Sequence, residues 1–383
     1  MKNPKNMMHS FLTLSLFSFS SIYGQKTSKQ EPTSTNTPKP ALAEGVLYIG
    51  PKLNEEAFQI QLGVDYILWV ISQEGLDVAL NNLSAVPSTS ISYEASPGAG
   101  TSYAPKFRPR NGFKIHADVV LADYEDVDLF LEYIWLDRSA PNFSATTNPE
   151  LTYPQLSIGP IIRPGAGSTS ELNSLSTSYK FEYNVLDFEI GRLSSIARNI
   201  FSVRPFWGIR GTWQTAYWNT GYTGTGYDQN YINAKTSSFV NVEQKTSGAG
   251  VRGGLDLGFN VTPKNNFVQN LILLGSFSMS GIYSSSSISL TSGEILPTRV
   301  TQVYQNTQQK IYRIVPVLDL SVGLGWNYTF GGDSKDHYNV EIHAAWDTQS
   351  WINFGQFTLN SFYHSGSQNM TVQGLTVGGS FFF

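Results

Sequence analysis

The sequence contains no cysteine. Disulfides, thiolate nucleophiles and cysteine-ligated metals are therefore excluded, and an unstapled chain depends on a core or a membrane to hold it together. Charge is sparse, with Asp, Glu, Lys and Arg making up 14% of residues. No run of about 18 apolar residues occurs, so no segment reads as a spanning helix. Helical i, i+3, i+4 spacing is equally scarce. No concentrated basic stretch exists, so nucleic acid is not an expected partner. Gly248-Ala249-Gly250 lacks the following helix that a phosphate-binding loop needs. The five histidines are scattered without metal-ligand spacing, and no G-x-S-x-G elbow accompanies the many serines. Glu341-Ile342-His343 places a carboxylate and an imidazole on one strand face, but a lone histidine without a second catalytic signal reads as structural. No catalytic residues, metal or cofactor are expected, and the chain does not read as an enzyme.

The chain begins with Lys2 and Lys5, followed by an apolar, serine-bearing stretch from Phe11 to Ser21 and the small Gly24. That stretch is too short to cross a bilayer, and residues 1–24 read as an export signal. Of 25 Lys and Arg, removal of Lys2 and Lys5 leaves 23 against 29 acids, a net charge of −6. Residues 25–45 are rich in Lys, Thr, Ser and Pro without apolar periodicity, and read as a flexible periplasmic tail. Residues 46–383 remain as one unit.

What fills that unit is alternation. A strand of a membrane barrel faces lipid on one side and the lumen on the other, so it alternates over about ten positions. Ten segments do so: 58–71, 112–122, 126–136, 179–192, 201–214, 250–260, 267–283, 314–330, 338–347 and 371–383. Leu62, Val64 and Tyr66 oppose Gln61, Gly63 and Asp65, for example, and Leu318, Leu320, Val322 and Leu324 oppose Asp319, Ser321 and Gly323. Pro205, lacking a ladder donor, is expected at an end or bulge.

The links sort into two kinds without exception. Links 123–125, 193–200, 261–266 and 331–337 are short. Links 72–111, 137–178, 215–249, 284–313 and 348–370 are long and rich in Ser, Thr, Asn, Gly and Tyr. Short periplasmic turns and long external loops are the asymmetry of outer-membrane barrels, whereas a soluble sandwich has no reason to sort its loops. Tyr66, Trp69, Tyr133, Trp135, Trp207, Trp213, Tyr217, Trp218, Trp326, Tyr328 and Trp346 lie near segment ends, where interfacial girdles belong. The expected fold is an all-β antiparallel transmembrane β-barrel of ten strands, or up to fourteen if the long links conceal hairpins.

Charges on lumen parity form the one constellation of interest. They are Lys114, His116, Asp118, Asp128, Glu132, Asp187, Glu189, Arg204, Arg210, Arg252 and Asp256, with Asp126 and Arg192 on that parity or close to it. Two readings stay open. A polar lumen with segregated charge filters ions. Alternatively, internal salt bridges fill a barrel of so few strands, since an aqueous channel needs about 16–18.

Several blocks resemble the Legionella-type and chlamydia-like major outer membrane protein family. They are Gly63-Val64-Asp65-Tyr66-Ile67-Leu68-Trp69 with Glu74-Gly75-Leu76, then Gly112-Phe113-Lys114-Ile115, then Asp128-Leu129-Phe130-Leu131-Glu132-Tyr133-Ile134-Trp135. The clearest is Leu186-Asp187-Phe188-Glu189-Ile190-Gly191-Arg192 leading to Arg204-Pro205-Phe206-Trp207-Gly208-Ile209-Arg210-Gly211. Chlamydial members are typically cysteine-rich and this chain is not, so a disulfide-linked envelope network is not expected. The resemblance implies an outer-membrane, porin-like barrel passing ions and small hydrophilic solutes. The alternative is a surface adhesin or antigen on a largely filled barrel. Expected partners are outer-membrane lipid, the barrel-assembly machinery, ions and small solutes, and a further copy of the chain in a homo-oligomer.

Gly378-Gly379-Ser380-Phe381-Phe382-Phe383 looks like the closing strand by which such proteins enter the assembly machinery, with Phe381 and Phe383 as its signal. Phe383→Asp places a charge near the interface and is expected to lower outer-membrane yield, read as loss of heat-modifiable protein in membrane fractions. Normal yield of folded barrel would refute the assignment.

Overall fold

A computed structural model describes residues 59–82, 100–121, 127–137, 142–146, 152–154, 171–196, 200–226, 234–261, 271–295, 300–330, 338–355 and 368–382. Fifteen strands appear in chain order: β1 (Gln59–Gln73), β2 (Ala79–Asn82), β3 (Gly100–Tyr103), β4 (Arg110–Leu121), β5 (Val127–Leu136), β6 (Asn142–Thr146), β7 (Thr152–Pro154), β8 (Glu171–Arg192), β9 (Ser194–Ile196), β10 (Phe201–Gly226), β11 (Ala234–Asn260), β12 (Leu271–Ile295), β13 (Thr301–Phe330), β14 (Tyr338–Gly355) and β15 (Gln368–Phe382). Ten of them form a closed antiparallel ring in the order β1, β4, β5, β8, β10, β11, β12, β13, β14, β15. β1 closes on β15 from Gln61↔Phe382 to Gln73↔Met370. Short β6 and β9 lie along β8 and β10, and β3-β2-β7 make a separate small sheet. Each of the ten alternating segments is a strand of the ring. Closure removes every free edge, which a barrel in lipid requires.

Near the short-turn end the outward face is apolar and exposed, including Leu62, Val64, Ile115, Trp207, Ile209, Val251, Leu255, Phe277, Leu320, Leu324, Ile342 and Val377. Exposure of this kind in water would be an aggregation surface, and in a bilayer it is the lipid belt. Tyr66, Trp213, Tyr283, Tyr312, Tyr328 and Trp346 also face outward. Trp69 and Trp218, by contrast, are 0% and 1% exposed and point inward, so they pack the interior and do not join the girdle.

The long links 215–249 and 284–313 are not loops. They are hairpins continuing the ring, with tips at 227–233 and 296–299 outside the described residues. β13 has 30 residues where a membrane crossing takes about 9–11, so the wall stands well beyond the bilayer. The hydrophobic phase explains both the extension and its concealment. Along β10, Trp207, Ile209 and Trp213 face outward, but Ala216, Trp218 and Tyr222 face inward. β11 and β12 do the same: Val251 and Leu255 face outward against Val240 and Val242 inward, and Phe277 and Met279 against Ile288 and Leu290. The backbone register through this switch is unbroken on β10–β11. What changes is the outer solvent, from lipid to water, so the apolar set moves to the inside.

The interior of the extension is packed by these residues together with the segment after β1. Leu76 and Val78 are buried in it, and Val78 O accepts from Tyr222 Oη at 2.7 Å. Pro205 lies within β10, opposite Leu255 of β11. On its other side the ladder to β9 ends at Val203 and the ladder to β8 begins at Phe206, so the residue without a donor occupies the gap. The turn residues 122–126, 262–270 and 331–337, most of 348–370 beyond β14, and Phe383 lie outside the described residues.

The long-strand end is expected at the cell surface. With no native cysteine, Ser287→Cys, exposed on β12, should react with an impermeant maleimide on intact cells. Val261→Cys, 44% exposed at the opposite end, should react only after the outer membrane is breached. The reverse pattern would invert the topology.

Candidate functional site

All eleven residues expected on the lumen wall are there. Lys114, His116 and Asp118 come from β4, Asp128 and Glu132 from β5, and Asp187 and Glu189 from β8. β10 supplies Arg204 and Arg210, and β11 supplies Arg252 and Asp256. Arg192 is an exception among the nearby charges: it falls on outward parity at the end of β8 and is exposed. Asp126 is outside the described residues.

The inward charges do not form a basic stripe facing a separate acidic wall. They interlock. Arg204 binds Asp128 in a short bidentate contact, with Nε 3.0 and 2.9 Å from the two carboxylate oxygens, and its Nη1 reaches Glu189 at 3.2 Å and Asp256 at 2.8 Å. Arg210 grips Asp187 through two 2.7 Å bonds and places Nη1 2.8 Å from Asp319. Arg252 bridges Asp187 closely, meets Glu189 at 2.7 Å and lies 3.4 Å from Asp319. Phe206 sits between Arg204 and Arg252, with its ring centroid 5.3 and 5.4 Å from their guanidinium carbons. Arg204 and Arg210 are each 1% exposed. Ten strands close so narrowly that wall side chains meet across the lumen.

A second group gathers on β1, β4, β14 and β15. Lys114 Nζ binds Asp347 Oδ2 at 2.7 Å, and Thr376 Oγ1 donates to the same oxygen at 2.6 Å. Trp69 Nε1 in turn donates to Thr376 at 3.1 Å. This relay joins the charged layer to an aromatic one deeper toward the long-strand end. There Tyr183 meets Trp351 edge-on at 5.9 Å, Phe354 meets Trp351 at 5.8 Å, and Phe181 meets Phe354 at 5.9 Å. Tyr183 Oη donates to Gln349, Tyr179 Oη to Gln73, and Arg110 to the carbonyls of Phe181 and Tyr179. Trp69, Tyr179, Phe181, Tyr183, Trp351 and Phe354 are all buried at or below 1% exposure. They pack together inside the ring above the ion pairs, with Tyr183 of β8 meeting Trp351 of β14.

Several members were not among the expected site residues. Asp65, Asp319 and Asp347 lie on inward parity, and parity was their signal. The aromatic plug gave a weaker one, because inward aromatics at strand ends read as girdle residues until the lumen is known to be filled. His116 Nε2 contacts Ser380 Oγ at 3.1 Å, with Asp65 Oδ2 3.9 Å from His116 Nδ1. This has the connectivity of a hydrolytic triad without its geometry. The carboxylate is beyond hydrogen-bond reach, and Ser380 lies on a strand paired on both sides, so its neighbouring amides are engaged in ladders and cannot serve an oxyanion.

A closed antiparallel ring with a lipid belt outside and polar residues inside defines a membrane β-barrel. The chain belongs to the Legionella pneumophila major outer membrane protein family, whose model matches residues 54–383. It is thus a protein of the outer membrane. Among solved structures, the outer membrane protease OmpT from Escherichia coli is similar at 9% identity, covering 86% of this chain and 99% of that one, with a TM-score of 0.38. A Pseudomonas aeruginosa FadL homologue is similar at 10% identity, covering 86% and 90%, with a TM-score of 0.29. No curated protein matches the sequence.

Arg210→Ala removes the bidentate partner of a fully buried Asp187, leaving Arg252 as its remaining cation, and should destabilise the barrel by up to about 3–5 kcal/mol. The check is the unfolding midpoint in detergent, followed by heat-modifiable migration. An unchanged midpoint would show that Arg252 alone satisfies Asp187 or that water reaches it.

Proposed function

We propose that this protein is a surface-displaying outer-membrane barrel whose lumen is closed to solute diffusion, acting through the strand extensions beyond the membrane as an adhesin or antigen. One observation carries the reading: above the interlocked ion pairs of Arg204, Arg210 and Arg252, buried aromatic side chains of β1, β8 and β14 pack together, with Tyr183 and Trp351 meeting across the ring. The extensions support it, because a wall that projects far beyond the bilayer offers a broad polar surface there. In this reading the protein is not an enzyme, and its insertion partner is the barrel-assembly machinery acting on the closing strand, where Phe381 faces outward at 44% exposure.

A second reading, a porin-like pore for ions and small solutes, is favoured by the polar inward face and by a cavity of about 210 Å³ between the two charged groups. It requires the plug to move. Purified full-length protein in planar bilayers separates the two. The closed reading expects no unit conductance steps above background. Reproducible steps, with selectivity moved toward cations in a folded Arg210→Ala variant, would replace it with the pore.

A further inference from the structure

We propose that the lumen holds a divalent transition-metal site of the zinc class, built from Asp65, His116 and Glu132 and completed by His343 and Glu341. Asp65, His116 and Glu132 come from three neighbouring strands, β1, β4 and β5, and offer one ligand atom each within 4.8 Å of one another. Donors bound about 2.0–2.2 Å from a tetrahedral zinc stand about 3.4 Å apart, so small side-chain rotations close the set. From β14, His343 Nε2 stands 3.3 Å from Asp65 Oδ1, and His343 Nδ1 is 3.9 Å from Glu341 Oε1. All five residues line the 210 Å³ cavity, which has room for an ion and a water.

Two further observations favour a cation at this point. Asp65 is 4% exposed, and the contact of its Oδ1 with His343 Nε2, at 3.3 Å, is long and poorly aligned. A buried carboxylate oxygen left so is costly, and an ion at this point would satisfy it. Second, the lower lumen is short of positive charge among the described residues. Among the described residues, ten carboxyl groups (Asp65, Asp118, Asp128, Glu132, Asp187, Glu189, Asp256, Asp319, Glu341 and Asp347) face Lys114, Arg204, Arg210 and Arg252 as fixed cations. Lys114, on the same strand as His116, is engaged by Asp347.

The outer shell is also of the right kind. Ser380 holds His116 Nε2 at 3.1 Å and leaves Nδ1 toward Asp65, as the second partner of a ligating imidazole does. Imidazole and carboxylate without thiolate suit zinc, nickel or copper in place of calcium, which takes an all-oxygen set. The inference is independent of whether the barrel conducts.

The test uses the full-length barrel, purified without a histidine tag, folded in detergent and stripped with chelator. Titration with zinc chloride by calorimetry is expected to show one ion per chain, and cobalt(II) to give the visible bands of a low-coordinate site with imidazole ligands. His116→Gln should weaken zinc binding at least tenfold and abolish the cobalt bands, and Ser380→Ala should weaken it by roughly 10–100-fold. Absence of stoichiometric binding by the wild type, or equal binding by a folded His116→Gln, overturns the proposal. Heat-modifiable migration certifies folding of each variant. If His116→Gln does not fold, Glu132→Gln takes its place. If neither folds, the wild-type cobalt spectrum decides alone, and the spectrum of the hexa-aquo ion counts against the site.

Discussion

The constraint on which this structure depends is the narrowness of a ten-strand ring. Inward side chains from opposite walls touch, so whatever the sequence places there must be satisfied by the rest of the lumen. Three guanidinium groups on two adjacent strands meet that demand. Arg204, Arg210 and Arg252 each contact carboxylates from more than one other strand, and Asp187 serves two of them. Buried pairs of this kind are weak sources of net stability, because desolvation offsets most of their attraction. Their effect is on specificity. A one-residue slip of β10 against β8 would turn Arg204 and Arg210 toward lipid, so the ion pairs fix the register Arg210↔Asp187 more strongly than the apolar belt can.

Beyond the membrane the same strands face a different problem. Their outer surface meets water, so apolar residues on it gain nothing. On β10 to β12 the hydrophobic set therefore moves to inward parity while the ladder runs on, and Trp218, Tyr222, Val240, Val242, Ile288 and Leu290 build a core inside the extended wall. The extension is consequently an ordinary water-soluble β structure in its packing, continuous with a membrane barrel in its backbone. The position of the switch, between Trp213 and Ala216 on β10, marks the long-strand-side boundary of the bilayer.

This switch also explains what could be read in the sequence and what could not. The ten strands, their order and the parity of all eleven charged lumen residues were legible, because membrane strands carry a two-residue period with fixed sidedness. The strand character of 215–249 and 284–313 was not, because Ser, Thr, Asn and Gln alternate with apolar residues of the opposite phase and the combined pattern looks like polar linker. The meeting of Asp65 with His343 was also out of reach. It depends on closure of β1 onto β15 with β14 alongside, a contact between the two ends of the chain that no local spacing announces. Trp69 and Trp218 show the same limit in reverse. Their nearness to segment ends suggested a girdle, while parity, the better guide, places both inside.

Parity also bears on whether the lumen could open. In larger barrels a lumen is commonly narrowed or plugged by a loop or helix that is separate from the wall. Here the plug is the wall. Trp69, Tyr183 and Trp351 belong to β1, β8 and β14, each held by ladders to both neighbours, and Trp69 is further tied through Thr376 and Asp347 to Lys114. Rotamer changes alone would have to move several large aromatic rings into a space already packed by their partners. Backbone movement would have to break ladders that have no water to replace them within the bilayer. In the closed reading, opening a channel requires a change in the ring itself, in strand tilt or shear, and the ion pairs that fix the register of β8, β10 and β11 are the contacts that resist it.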